Sequence, residues 1–226
     1  MSTPILPAAA APAARAPARP SAMQRLLLHP LAKPTVFLLM MGPFAAIVWA
    51  AFTDGLGANP AETLIRWLGD MTLRMLCVTL AVTPLRQLTG WHALARLRRM
   101  LGLGSAFYMV LHFLAYAWFD KGFVLGDILH DIAKRPFILV GSAAGLLMLP
   151  LAATSFNRAI KALGAARWQA LHRTVYAIVL LGLLHFFWMR AGKHNFAEVA
   201  VYAVVIAALL GWRAWRAMQP RLRVVG

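Results

Sequence analysis

The chain has 226 residues, 61% of them hydrophobic and 13% charged. That balance excludes an ordinary soluble domain and points to an integral membrane protein. A net charge of +16 would suggest nucleic acid in a soluble protein. Here the basic residues lie between apolar segments, so they read as a topological signal and no nucleic-acid partner is expected.

Residues 1–22 are rich in Ala and Pro and carry two arginines. They lack the apolar stretch of a cleaved signal peptide, so a disordered tail is expected, with Met23 as an alternative start. Six apolar segments follow, at 34–53, 64–85, 100–119, 136–154, 171–190 and 197–213. Each approaches the roughly 20 residues that a spanning helix needs. Helices are required because a span must satisfy its own backbone hydrogen bonds in lipid. The runs are continuously apolar rather than alternating, which argues against a β-barrel. The expected fold is an all-α integral membrane protein, a six-transmembrane-helix bundle over residues 23–215. A short basic C-terminal tail, 216–226, completes the chain.

The flanks set the orientation. If the N-terminus is inside, sixteen Lys and Arg lie on the inner flanks, and only Lys121, Lys134, Arg135, Arg190 and Lys193 on the outer ones. Acidic residues lean the other way: Asp54, Glu62, Asp120, Asp127, Asp131 and Glu198 lie outside or at that edge. By the positive-inside rule both termini are cytoplasmic.

Within the spans, the polar residues carry the chemistry. Span 2 holds Arg66, Asp70 and Arg74 at i, i+4 and i+8, on one helix face. Such a ladder can satisfy itself as ion pairs and should face the bundle interior. Two readings stand: Arg66 or Arg74 pairs with a haem propionate or a flavin phosphate, where a guanidinium fork suits the anion, or the ladder is a structural seam. Cys77 is the only cysteine, which leaves no disulfide, zinc or iron–sulfur site. Span 3 holds His112, with Tyr108 and Tyr116 on the same face, either orienting a cofactor or anchoring the helix. Span 5 holds His172 and His185.

An imidazole inside a bilayer is a functional candidate by default, and neutral imidazole is a common axial ligand of haem iron. Spans 3 and 5 both run from inside to outside. His112 and His185 then fall at similar depths in the outer half and could clamp one iron. His172 lies thirteen residues before His185, about 20 Å along a helix at 1.5 Å per residue, near the inner face. It has three readings: ligand of a second, inner haem, part of a flavin or quinone site, or an interface histidine. Span 3 offers Arg98 and Arg99 at the matching depth rather than histidine, which leaves His29 or His92 as partners for an inner haem. His130 and His194 are expected in solvated outer loops. Trp49, Trp67, Trp118, Trp188 and Trp212 read as an interfacial belt, and Met109 and Met189 as packing residues near the histidines.

Three blocks carry a family resemblance: RRMLGLGSAFYMVLHFLAY (Arg98 to Tyr116), KRPFILVGSAAGLLMLPLAATS (Lys134 to Ser155) and LGAARWQALHRTVYAIVLLGLLHFFW (Leu163 to Trp188). They resemble the MsrQ (formerly YedZ) family, haem-binding membrane subunits of the bacterial protein-methionine-sulfoxide reductase system, within the ferric-reductase-like transmembrane superfamily. The resemblance implies a multi-pass b-type cytochrome of the bacterial inner membrane that holds heme b and also FMN. It implies an electron-transfer subunit with no substrate chemistry of its own. Its acceptor would be MsrP, a periplasmic molybdopterin enzyme that reduces methionine sulfoxide in oxidised envelope proteins. The family's functional histidines map onto His112, His172 and His185. The related NADPH oxidases carry two histidines on span 3, whereas this chain has only His112, which weighs against a second bis-histidine haem. No flavin–nicotinamide domain follows span 6, so electrons would come from the quinone pool or a cytosolic flavin reductase. Rival readings are a haem b quinol-oxidising anchor of another dehydrogenase, which would need four membrane histidines, and a small transporter using Arg66, Asp70 and Arg74.

Overall fold

The computed structural model describes residues 21–191 and 196–219. Most of the expected N-terminal tail, His194 and the end of the C-terminal tail lie outside them. The described residues form helices only: α1 (Ala22–Leu28), α2 (Ala32–Phe52), α3 (Pro60–Thr89), α4 (Arg98–Ala115), α5 (Leu125–Lys134), α6 (Pro136–Ala153), α7 (Asn157–Leu163), α8 (Ala165–His172), α9 (Val175–Ala191) and α10 (Ala197–Met218). A 3-10 turn, His92–Arg96, precedes α4, and a π-helical turn, Tyr116–Asp120, extends it. Six units are long and apolar enough to cross a membrane: α2, α3, α4 with its π turn, α6, α8 with α9, and α10.

The span positions hold, and their ends move for identifiable reasons. Span 2 starts earlier than residue 64 because Asn59 caps α3: its side chain accepts from the Glu62 amide at 3.2 Å, and Pro60 fills the first turn where no N–H is needed. The helix ends at Gly90, whose φ of +72° closes it in the left-handed region. Span 6 continues past residue 213 to Met218. Span 5 is not one continuous helix. α8 ends at His172 and α9 begins at Val175, so His172 and His185 stand on separate helices.

α3 is the central element. Its Leu73, Leu76 and Leu80 pack in the main core with Ala144, Met148 and Leu151 of α6, Ile178, Val179 and Phe186 of α9, and Ile206 of α10. Its other side meets α4 and α2 through Leu68, Met71 and the fully buried Tyr108. The Tyr108 hydroxyl donates to the Met40 carbonyl at 2.7 Å, tying α4 to α2. Pro84, inside α3, has no N–H for the Leu80 carbonyl. The Arg213 guanidinium of α10 donates to that carbonyl, which seats α10 against α3.

Three short helices, α1, α5 and α7, lie outside the apolar segments. α5 is a short amphipathic helix that buries Ile128 and Asp131. Asp131, 6% exposed, pairs with Lys121 and Arg135 at 2.9 Å each and accepts from the Tyr116 hydroxyl at 2.8 Å. Burial pushes this carboxyl up, but the hydrogen bonds from Lys121 and Tyr116 and the Arg135 charge hold it below the usual carboxylate range. The cluster pins α5 to the end of α4, so Tyr116 anchors the helix.

Candidate functional site

His112 of α4 and His185 of α9 face each other across the bundle, with ring centres 6.1 Å apart and planes at 74°. Each is held by a different neighbouring helix. His112 Nδ1 lies 2.8 Å from the Ile65 carbonyl of α3, and His185 Nδ1 lies 2.6 Å from the Phe137 carbonyl of α6. A carbonyl only accepts, so both Nδ1 atoms carry the proton. That leaves each Nε2 lone pair free as a ligand, the tautomer that a backbone partner fixes in metal-binding histidines.

The two contacts are built alike. The residue four positions after each accepting carbonyl is glycine: Gly69 follows Ile65, and Gly141 follows Phe137. A Cβ at Gly69 would stand 3.0 Å from His112 Cε1, and one at Gly141 would stand 2.7 Å from His185 Nδ1. The bare glycine backbone lets each ring reach the carbonyl one turn away. A metal lies about 2 Å from an imidazole nitrogen, so two rings in line through one ion have centres roughly 6 Å apart. The observed separation of 6.1 Å matches that distance.

The polar ladder of α3 finds its closest partners outside itself. Arg66 pairs with Glu62 one turn away. Asp70 lies 3.9 Å from Arg190 of α9, and Arg74 donates to the Tyr202 hydroxyl of α10 at 3.0 Å. Arg190 also pairs with Glu198 at 2.6 Å and stacks on the Phe186 ring. Its Nε is buried without a hydrogen-bond partner, a costly state for a guanidinium unless an anion completes it. Arg190 was read from sequence as a flank charge. The signal that marks it is its position five residues after His185 in one apolar helix.

His172 does not join the pair. Its ring stacks on Trp168 at 4.0 Å, and its Nε2 lies 3.2 Å from the Thr154 hydroxyl. The proposed partners His29 and His92 are both exposed, at the end of α1 and the start of the 3-10 turn. No group of three or more His, Cys, Asp or Glu side chains converges among the described residues. Met109 and Met189 pack against the main core, and His130 is exposed.

Comparison with known proteins agrees with the architecture. Residues 68–183 match the family described as "Ferric reductase like transmembrane component". The chain is 65% identical over 192 residues to the protein-methionine-sulfoxide reductase heme-binding subunit MsrQ of Polaromonas naphthalenivorans (strain CJ2), covering 85% of this chain and 88% of that one. It is 55% identical to the MsrQ of Ralstonia nicotianae, over 80% of this chain and 83% of the relative. The corresponding figure for Xanthomonas campestris pv. campestris (strain B100) is 42%, over 84% and 88%. No solved structure matches.

Proposed function

The chain belongs to the ferric-reductase-like transmembrane family and, within it, to the MsrQ subunits, and from that premise we propose that it holds one haem b between His112 and His185 and passes electrons across the inner membrane. The observation that carries the reading is the histidine pair, with both Nδ1 atoms tied to carbonyls and both Nε2 atoms free. Bound there, haem b would supply a one-electron redox centre in a low-dielectric shell. The chain's own residues provide the rest. His112 and His185 would hold the haem iron through their Nε2 atoms, while the Ile65 and Phe137 carbonyls fix their tautomer. Arg190, five residues after His185 on α9 and with its Nε unpaired, suits a propionate.

The charge bias of the flanks supports a reading with both termini in the cytoplasm. On that orientation the histidine pair lies toward the periplasm, next to the acidic end of the bundle. The acceptor is then MsrP, the periplasmic reductase of methionine sulfoxide, and the donor is the quinone pool or a cytosolic flavin reductase. FMN, implied by the family resemblance, is not placed on Arg66 and Arg74, because Glu62 and Tyr202 already engage them. Flavin quantification on the purified protein tests its presence.

The functional test is reoxidation. Dithionite-reduced protein mixed with MsrP and a methionine sulfoxide substrate should lose its reduced α-band. A reduced spectrum that persists through substrate addition contradicts the assignment of acceptor.

A further inference from the structure

At the end of the bundle opposite the carboxylates lies a cavity of about 630 Å³, between α3, α4, α9 and α10. That volume is within the range of small-molecule sites, roughly 300–1,000 Å³. Three arginines line it: Arg98 at the start of α4, and Arg213 and Arg216 near the end of α10. Tyr176 and Trp212 supply aromatic walls, with Arg213 over the Tyr176 ring at 5.7 Å and Arg216 over the Trp212 ring at 5.8 Å. Thr83 and Gln87 of α3 add hydrogen-bonding side chains.

Among the described residues the charge here is uncompensated: no carboxylate forms an ion pair with these arginines. Neighbouring arginines have other tasks: Arg96 donates to the Leu27 and Leu28 carbonyls at the end of α1, and Arg99 donates to Asn157. Arg213 donates to the Leu80 and Leu209 carbonyls, which are neutral, so its charge is not cancelled. Three guanidinium groups around one cavity repel each other unless an anion enters.

We propose that Arg98, Arg213 and Arg216 form a binding site for a phosphate ester. Guanidinium forks pair bidentately with phosphate oxygens. Basic pockets between transmembrane helices at this kind of edge take anionic lipid headgroups. A membrane phospholipid and a soluble phosphate share the recognised group, and the experiment separates them. The site stands apart from the histidine pair and does not depend on the haem reading.

The test uses the full chain in neutral detergent, stripped of lipid. Its thermal midpoint is measured with phosphatidylglycerol against phosphatidylcholine, and with inorganic phosphate against sodium chloride at equal ionic strength. A rise with phosphatidylglycerol alone supports the site and identifies a lipid headgroup. A rise with inorganic phosphate supports it and identifies a soluble source. Either rise should fall by at least half in R98Q/R216Q and persist in R158Q, a change at the same end outside the cavity. The helical circular-dichroism signal and unliganded thermal midpoint of the double variant, measured alongside, should equal those of the parent protein and check that the fold is intact. No rise with either phosphate over its control overturns the proposal, as does an equal rise in R98Q/R216Q.

Discussion

His112 and His185 approach to 6.1 Å between ring centres because each rests on a glycine of a neighbouring helix. The two seats repeat one device: a carbonyl accepts from Nδ1, and the residue four later has no side chain. Replacing these glycines by alanine should disturb the rings without touching a ligand. Gly141→Ala should weaken haem retention more than Gly69→Ala, since its Cβ would meet Nδ1 at 2.7 Å against a nearest approach of 3.0 Å. Disrupting such supporting contacts costs metal sites about 10–100-fold in affinity. The rate of haem transfer to a scavenging apo-globin measures it; unchanged rates in both variants would show that the glycines only pack.

Arg190 places a positive charge on the His185 helix itself, balanced by Asp70 and Glu198. Reduction adds negative charge to the centre, so removing a nearby cation disfavours it. Arg190→Gln should lower the midpoint potential in a redox titration, because it removes a cation from the helix that carries His185. Equal potentials in Arg190→Gln and the parent protein would separate Arg190 from the centre.

His172 is engaged by Trp168 and Thr154. His172→Ala should therefore leave the haem stoichiometry unchanged and cost about 1–2 kcal/mol of stability through the lost stack and hydrogen bond. Halved haem content in this variant would indicate an inner haem instead.

These assignments show what could be read from the residues alone. The six spans follow from continuous apolarity, and the depth match of His112 and His185 follows from helix rise and topology. The break before Val175 was illegible, because Arg173 and Thr174 are compatible with helix. The partners of Arg66, Asp70 and Arg74 were illegible for a different reason. Spacing lists the charges that share a face, but Asp70 and Arg74 took their partners from α9 and α10, which only the packing reveals. α5 was missed because ten residues of mixed polarity fall below any spanning signal.

Asp131 gives a pH-dependent prediction outside the spans. Its carboxyl is held below the ordinary carboxylate range by Lys121, Tyr116 and Arg135, against the opposing effect of burial. The stabilisation is thus present above the unfolded-state value of 3.8 and is lost as pH falls through the lower folded-state value. Asp131→Asn should destabilise the protein by about 1–3 kcal/mol near neutrality. It should also flatten the loss of stability on acidification. Thermal unfolding in detergent across that range checks it, and parallel curves for the variant and the parent protein would contradict it.

The central claim is that His112 and His185 hold one haem b. Pyridine-haemochrome absorbance, normalised to protein, measures it directly in the purified parent protein and in His112→Ala and His185→Ala. The account predicts one haem per chain in the parent protein and loss of most of it in each variant, with the helical circular-dichroism signal retained. Full haem content in both variants would contradict it.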